Sequence, residues 1–115
     1  MKDNYSIADD NDRLMANAYL TPDVLEDQAG RNTWTVNRIQ VLTTRARGEG
    51  WGTKLLEQIC AEADAEGANL MLGVSPDEPR YFRRLVAWYR RHGFVPYKRR
   101  TVSPVHNLMM RWSGR

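Results

Sequence analysis

Apolar residues recur at helical spacing between Gly52 and Glu66, three or four positions apart. This pattern predicts a helix with one buried face, and Gly67 is a natural stop for it. The acidic side chains of this segment fall largely outside the apolar face. The apolar positions are Leu55, Leu56, Ile59, Cys60 and Ala63.

A second segment with the same spacing covers residues 79–92. Proline suits the first turn of a helix and glycine suits the residue just past its end, as Pro79 and Gly93 do here. We therefore predict a second helix over this range. Its apolar side carries Phe82, Leu85, Val86 and Tyr89.

Four segments have the composition of strands. Residues 33–43 are rich in β-branched and aromatic types, and residues 69–75 form a short apolar run before Pro76. Residues 94–101 and 105–112 are two more candidates, and Ser103-Pro104 between them predicts a hairpin turn.

The first third of the chain reads as helical. Over residues 9–20, four apolar side chains lie at positions that share one side of a helix. Thr21-Pro22 then resembles a helix cap followed by proline, which predicts a second short helix through about Gln28, ended by Gly30. The four apolar residues are Leu14, Met15, Ala18 and Tyr19.

The order of elements from residue 33 is strand, helix, strand, helix, strand, strand. Strand–helix–strand units imply parallel pairing, and the last two strands imply an antiparallel edge. We predict an α/β fold with a mixed central sheet flanked by helices. At 115 residues the chain is one domain, 1–115, with a short helical segment over 1–32 and a core over 33–112.

Composition narrows the setting. No apolar run reaches the roughly 20 residues that a membrane span needs, and the polar, acidic first residues are unlike a secretory signal. One cysteine, Cys60, forms no internal disulfide, which favours a reducing, cytoplasmic setting. With one cysteine and two histidines, we expect no metal site.

Charge is unevenly distributed. Residues 1–30 carry a net charge of −5, and residues 31–115 carry +8. Such a basic body attracts anions such as nucleic acid or phosphorylated small molecules, although a solvated basic face explains it equally well. The cations concentrate in two runs: Arg80, Arg83, Arg84, Arg90 and Arg91, then Lys98, Arg99 and Arg100.

The most informative segment is the glycine-rich turn over residues 47–53, between a predicted strand and a predicted helix. Glycine backbones approach a ligand closely, and the first turn of a helix offers unpaired N–H groups, so the pair predicts a diphosphate site. Neither a Walker loop nor a dinucleotide fingerprint fits the spacing. The pattern Arg-x-x-Gly-x-Gly is met by Arg47, Gly50 and Gly52.

Two blocks together resemble a known family. Residues 46–56 (ARGEGWGTKLL) are similar to the acyl-CoA-binding motif of the GCN5-related N-acetyltransferases (GNAT), and residues 87–94 (AWYRRHGF) resemble the family's late Leu-Tyr-x-x-x-Gly-Phe segment. The likeness covers about residues 36–112. It implies a compact GNAT member with a shortened N-terminal region.

The resemblance implies a set of donor-binding residues. The strand end at Leu42 and Thr43 would pair with the pantetheine arm, the turn's N–H groups would hold the pyrophosphate, and Arg47 would assist. Trp51 replaces a smaller residue, and we favour the core over the cofactor as its contact. The full set is Leu42, Thr43, Arg47, Gly48, Glu49, Gly50, Trp51, Gly52 and Thr53.

The resemblance also implies direct transfer from acetyl-CoA to an unidentified amine through a tetrahedral intermediate. Tyr89 matches the family tyrosine that protonates the leaving thiolate, a role suited to a phenol that is protonated at neutral pH. Cys60 lies on the predicted core face, so we expect a buried side chain and no nucleophile.

Several departures keep other functions open. The segment before residue 33 is short, Phe82 replaces a frequent asparagine, and no general base is evident. The alternatives are a catalytically silent GNAT-fold binding or assembly protein and a nucleic-acid-associated protein. A short sheet also predicts an exposed edge open to a second copy. Candidate bases are Asp23, Glu26, Asp27, His92 and His106, with a structural role favoured for both histidines.

Overall fold

The computed structural model describes residues 1–22, 32–42, 50–75, 79–97 and 107–113, and within them six strands and two helices. In chain order these are β1 (Asn4–Ala8), β2 (Leu14–Pro22), β3 (Thr33–Val41), α1 (Trp51–Glu66), β4 (Asn69–Gly73), α2 (Pro79–Arg91), β5 (Val95–Pro96) and β6 (Leu108–Arg111).

The strands form one mixed sheet in the order β1-β2-β3-β4-β6-β5. The pair β3–β4 is parallel, and the other four pairs are antiparallel. The α1 helix makes the crossover between the two parallel strands, as expected for a strand–helix–strand unit. The predicted α/β architecture with a mixed sheet and helices is thus confirmed.

The helix predicted over residues 9–20 is wrong. Residues 4–22 form a β-hairpin, in which β1 pairs with β2 from Asn4–Tyr19 to Ala8–Leu14. At its turn the Asp9 carboxylate accepts the N–H groups of Asn11 and Arg13, each at 2.9 Å. A side chain that satisfies its own turn's backbone is typical of aspartate.

The burial of β2 explains the error. Ala16, Ala18 and Leu20 are buried at strand spacing, whereas Leu14 and Tyr19 are 43% and 50% exposed. The apolar residues therefore satisfied a helical period by coincidence. Thr21 and Pro22, predicted as the start of a second helix, are the last residues of β2; residues 23–28 of that predicted helix lie outside the described residues.

The core lies between α1 and one face of the sheet. Every predicted apolar position of α1 is buried, including Cys60 at 6% exposure. They pack on the inward residues of β2, β3 and β4 and on Phe94. Since the opposite face of the sheet holds a smaller cluster around Met71 and Met110, the α1 face carries most of the apolar contacts.

The last strands are shorter than the composition predicts. β5 has two residues and β6 has four, and they pair antiparallel as expected. The hairpin predicted at Ser103-Pro104 lies outside the described residues. β1 and β5 are the edge strands of the described sheet, and pairing of either with a second copy stays a prediction.

Candidate functional site

The parallel strands β3 and β4 separate after a short contact. They pair only from Thr33–Asn69 to Thr35–Met71, although β3 runs on to Val41. β3 stays paired with β2 as far as Val41, and β4 stays paired with β6 as far as Gly73. Each strand keeps its outer neighbour, so an opening forms between them.

The backbone of β3 turns free groups toward this opening. The Leu42 N–H donates to the Met15 carbonyl at 3.0 Å, on the β2 side. Because successive residues of a strand direct their N–H and C=O groups to opposite sides, those of Ile39 and Val41 point toward the opening. Among the described residues no strand pairs with this stretch, which therefore has the hydrogen-bonding capacity of a sheet edge.

Helix α1 begins at the mouth of the same opening. Its N-cap is Gly50, at φ 80 and ψ 14, a residue with no side chain that could cap the first turn. A Cβ built on Gly50 would meet nothing within 4 Å, so the approach to the helix start is open. The N–H groups of this first turn and the positive end of the helix dipole favour an anion there.

These features surround one cavity of about 440 Å³, which we call the β3–β4 cleft. It unites the strand end, the helix start and one side of α2. Its lining is Ile39, Val41, Gly50, Trp51, Gly52, Thr53, Leu85, Trp88 and Tyr89.

Tyr89 brings a phenolic side chain to the lining of the cleft. Burial raises the pKa of its phenol to about 12. Its ring meets that of Phe94 edge-on, with centroids 5.5 Å apart, which fixes its direction. The group therefore stays protonated throughout the neutral range and can give its proton only to a strongly basic neighbour.

Trp88, the residue before Tyr89, ties α2 to α1. Its indole Nε1–H donates to Thr53 Oγ1 at 2.9 Å. Its ring also lies 5.0 Å from the ring of Tyr89 and 5.9 Å from that of His92, measured between centroids. The helix start and the tyrosine are thus joined through one side chain.

A second depression of about 430 Å³ follows the exposed side of α2, and we call it the basic groove. It shares Leu85 and Trp88 with the cleft, so the two are adjacent. Its two guanidinium groups belong to Arg84 and Arg91, seven residues apart on one helical face. The lining is Tyr81, Arg84, Leu85, Ala87, Trp88 and Arg91.

The structure brings together Gly50, Trp51, Gly52, Thr53 and Tyr89 of the residues named from sequence. Trp51 lines the cleft and also packs against the core, with Lys54 Nζ 4.4 Å from its ring centroid. Leu42 follows the end of β3, with its N–H turned away from the opening. Thr43, Arg47, Gly48 and Glu49 lie outside the described residues.

Four lining residues were missed from sequence: Ile39, Val41, Leu85 and Trp88. The β3 pair could have been found from the period of two that places every second residue on one face. Trp88 stands inside the block that carries the resemblance. Its indole donor could have been noted as a buried polar group in need of an acceptor.

No general base stands among the described residues of the cleft, whose lining holds neither carboxylate nor imidazole. The ring of His92 packs edge-on to that of Trp88, and the structural role predicted for it stays a prediction. Asp23, Glu26, Asp27 and His106 lie outside the described residues.

The described part of the chain holds neither a metal-binding cluster nor a membrane-spanning helix. Its His, Cys, Asp and Glu residues form no group of three that could hold a metal ion. Neither of its helices has the length and apolar character to cross a membrane.

Comparison with known proteins finds a likeness in structure alone. No protein-family profile and no curated protein matches the sequence. Solved structures match it over nearly the whole chain. Tetrahymena GCN5 is 12% identical with a TM-score of 0.67, and 95% of this chain is covered.

Two bacterial structures give the same result. The Escherichia coli ribosomal-protein-S18-alanine N-acetyltransferase is 21% identical, with a TM-score of 0.67 over 93% of this chain. A GCN5-related N-acetyltransferase from Kribbella flavida is 19% identical, with a TM-score of 0.68 over 95%. This chain spans 66% of each of the three structures, slightly under two thirds. At these identities the likeness establishes the fold: the chain has the GNAT fold.

Proposed function

We propose that this chain is an N-acetyltransferase that uses acetyl-CoA as donor and a primary amine as acceptor. One observation carries the proposal: a single cleft unites a strand edge that no described strand covers, the N-terminal end of α1 and a partly buried, protonated tyrosine. Each of these three features is suited to bind or react with a different part of an acyl-CoA thioester.

The strand edge and the helix start are suited to the two chemically distinct parts of the donor. The pantetheine arm carries amides, which pair with the N–H and C=O groups of Ile39 and Val41 as a further strand would. The diphosphate meets the first-turn N–H groups of α1, beyond Gly50. The Leu42 N–H is engaged by Met15 of β2, so Ile39 and Val41 take the pairing predicted for it. The roles predicted for Thr43, Arg47, Gly48 and Glu49 stay proposals beside these.

The basic groove is suited to the nucleotide end of the donor. The side chains of Arg84 and Arg91 are exposed. Tyr81, about one helical turn before Arg84, is 63% exposed and lines the same groove. A guanidinium is a good partner for a phosphate, and an aromatic ring stacks on a base. We assign the 3′-phosphate and adenine of CoA to this groove.

Tyr89 is the proposed general acid. The amine nitrogen forms a bond to the thioester carbonyl carbon and gives one proton to solvent, the carbon–sulfur bond breaks, and the departing thiolate takes the phenolic proton. Solvent then returns a proton to the phenolate. The rest of the rate enhancement comes from holding the donor in place, since the described cleft lining carries no base.

The test of donor binding is calorimetric titration with acetyl-CoA and with CoA. Gly50→Asp and Gly50→Asn are matched variants, because both side chains tolerate positive φ and both can cap the helix. Only aspartate adds a negative charge at the helix start. We expect micromolar binding by the wild type and at least tenfold weaker binding by Gly50→Asp than by Gly50→Asn.

Equal binding by the two variants would contradict the diphosphate site. Absence of CoA binding by the folded wild type would overturn the proposed activity. Binding without thiol release across a panel of amines would instead favour the silent binding protein.

A further inference from the structure

The side chain of Trp88 does more than fill space between two helices. It lines both the β3–β4 cleft and the basic groove, so it forms the wall between them. It is partly buried and packs against the main core. Any shift of this ring changes both depressions at once.

Trp88 is held by contacts on three sides. Its Nε1–H donates to Thr53 Oγ1 at 2.9 Å, and its ring lies beside those of Tyr89 and His92. Its Cζ2 atom would be 3.8 Å from a Cβ built on Gly52. The indole therefore rests against the first turn of α1 while its backbone belongs to α2.

The hydrogen bond links the two ends of the proposed donor site. Thr53 is the third residue of α1, within the turn whose N–H groups face the diphosphate. Tyr89 adjoins Trp88 in the chain and stands at the reacting end. A bond between Trp88 and Thr53 sets the distance between these two groups.

We propose that Trp88 is a positioning residue, which holds the start of α1 in register with Tyr89 through its bond to Thr53. This inference rests on the proposed function, because it assigns the bond a role in binding the donor. A ring that only fills space would act through its volume, whereas a positioning ring acts through its N–H.

Three single variants and one double variant separate the effect of side-chain volume from that of the hydrogen bond between Trp88 and Thr53. Trp88→Phe keeps an aromatic ring and removes the donor. Thr53→Val keeps the shape and removes the acceptor, and Thr53→Ser restores the hydroxyl. CoA dissociation constants are measured by calorimetry for each single variant and for the Trp88→Phe/Thr53→Val double variant, together with unfolding midpoints in urea.

We expect Trp88→Phe and Thr53→Val each to weaken CoA binding about threefold to tenfold, as the loss of one net hydrogen bond would. The double variant should bind no more weakly than the worse single variant, because both changes remove the same bond. Thr53→Ser should stay within about twofold of the wild type.

The outcomes separate this inference from the proposed function. A folded wild type that binds no CoA overturns both. Wild-type binding with additive losses, or with losses that Thr53→Ser shares, overturns the positioning role alone. If Trp88→Phe fails to fold, the contrast between Thr53→Val and Thr53→Ser decides, since equal affinity of those two contradicts the inference.

Discussion

At the level of single residues, the protonation of Tyr89 links its burial to its proposed chemistry. Desolvation disfavours the phenolate, which raises the pKa of the group to about 12. A donor with this pKa is fully loaded at neutral pH and gives up its proton only to a group of comparable basicity. A thiol has an ordinary pKa of about 8.5, so the proposed transfer to the departing thiolate requires that desolvation in the cleft raise the pKa of that thiol as well.

Replacing Tyr89 by phenylalanine tests this directly. The variant keeps the ring contact with Phe94 and loses the proton, so we expect donor affinity within about threefold of wild type. Turnover should fall by about 100-fold or more, the usual contribution of an acid catalyst. Thiol release with an accepted amine measures turnover, and calorimetry measures affinity. A variant with wild-type turnover would remove Tyr89 from the mechanism.

The basic groove makes a second prediction at this scale. Replacing Arg84 and Arg91 by glutamine should weaken binding of CoA about tenfold and leave 3′-dephospho-CoA within about twofold, because only CoA carries the third phosphate. Arg83→Gln/Arg90→Gln, with exposed side chains outside the groove, is the matched control. Equal losses for both ligands would place the nucleotide elsewhere.

At the level of the elements, the side chain of Arg111 connects β6 with the C-terminal ends of α1 and α2. Arg111 of β6 donates two hydrogen bonds to Asp64 near the end of α1, at 2.7 and 2.9 Å. Its Nε–H donates to the carbonyl of His92, just past α2. The planar guanidinium makes all three contacts at once, which an ammonium group does not.

We therefore expect Arg111→Lys to lower the free energy of unfolding by about 1–2 kcal/mol, because the partly exposed pair keeps one contact and loses its bidentate geometry. Urea denaturation measures the change. Arg90→Lys, at an exposed position whose side chain makes no hydrogen bond or ion pair within the described residues, should shift it by less than about 0.5 kcal/mol. Comparable losses in the two variants would show that the pairing adds nothing.

Most of the helices and strands could be predicted from the sequence, but not all of them. α1 and α2 follow from local pattern, because each pairs a helical period with glycine or proline at an end. β3 and β4 follow from their β-branched, aromatic and apolar composition. β2 does not, because its strand state depends on pairing with β3, about 20 residues along the chain. The cluster of polar residues at 9–12 was the local signal for the turn, and the apolar spacing around it favoured the wrong element.

At the scale of the whole molecule, the cleft exists because β3 and β4 separate after a short contact. The periodicity of the sequence does not indicate where this separation occurs. The motif residues Gly50, Gly52 and Tyr89 were recognisable from sequence. Their meeting with Ile39, Val41 and Trp88 depends on where β3 stops pairing with β4 and on how α2 rests against α1. These are tertiary contacts, which only the folded chain defines.

The buried acidic groups also give the fold a dependence on pH. Burial raises the pKa of Tyr89 from 10.0 to about 12, and burial is the largest cause that raises the pKa of Cys60 from 9.0 to about 11. In the unfolded chain both groups lose their protons at lower pH than in the folded protein. Between about pH 9 and pH 12 the unfolded state therefore binds fewer protons, so stability falls as pH rises.

Stability from these two groups is fully present below about pH 9, and each group lowers it by at most about 1.4 kcal/mol per pH unit within its own window. We expect urea midpoints to be flat between about pH 7 and 8.5 and to fall above that. Tyr5, whose pKa is also raised to about 12, contributes to the decline in every variant. Cys60→Ala should flatten the decline from about pH 9 to 11, and Tyr89→Phe should flatten it from about pH 10 to 12. Each variant is compared with its own value at about pH 8, so the packing lost on substitution cancels. Because the two windows are offset by about one pH unit, identical slopes in both variants and the wild type would show that the two groups are not held protonated by the fold.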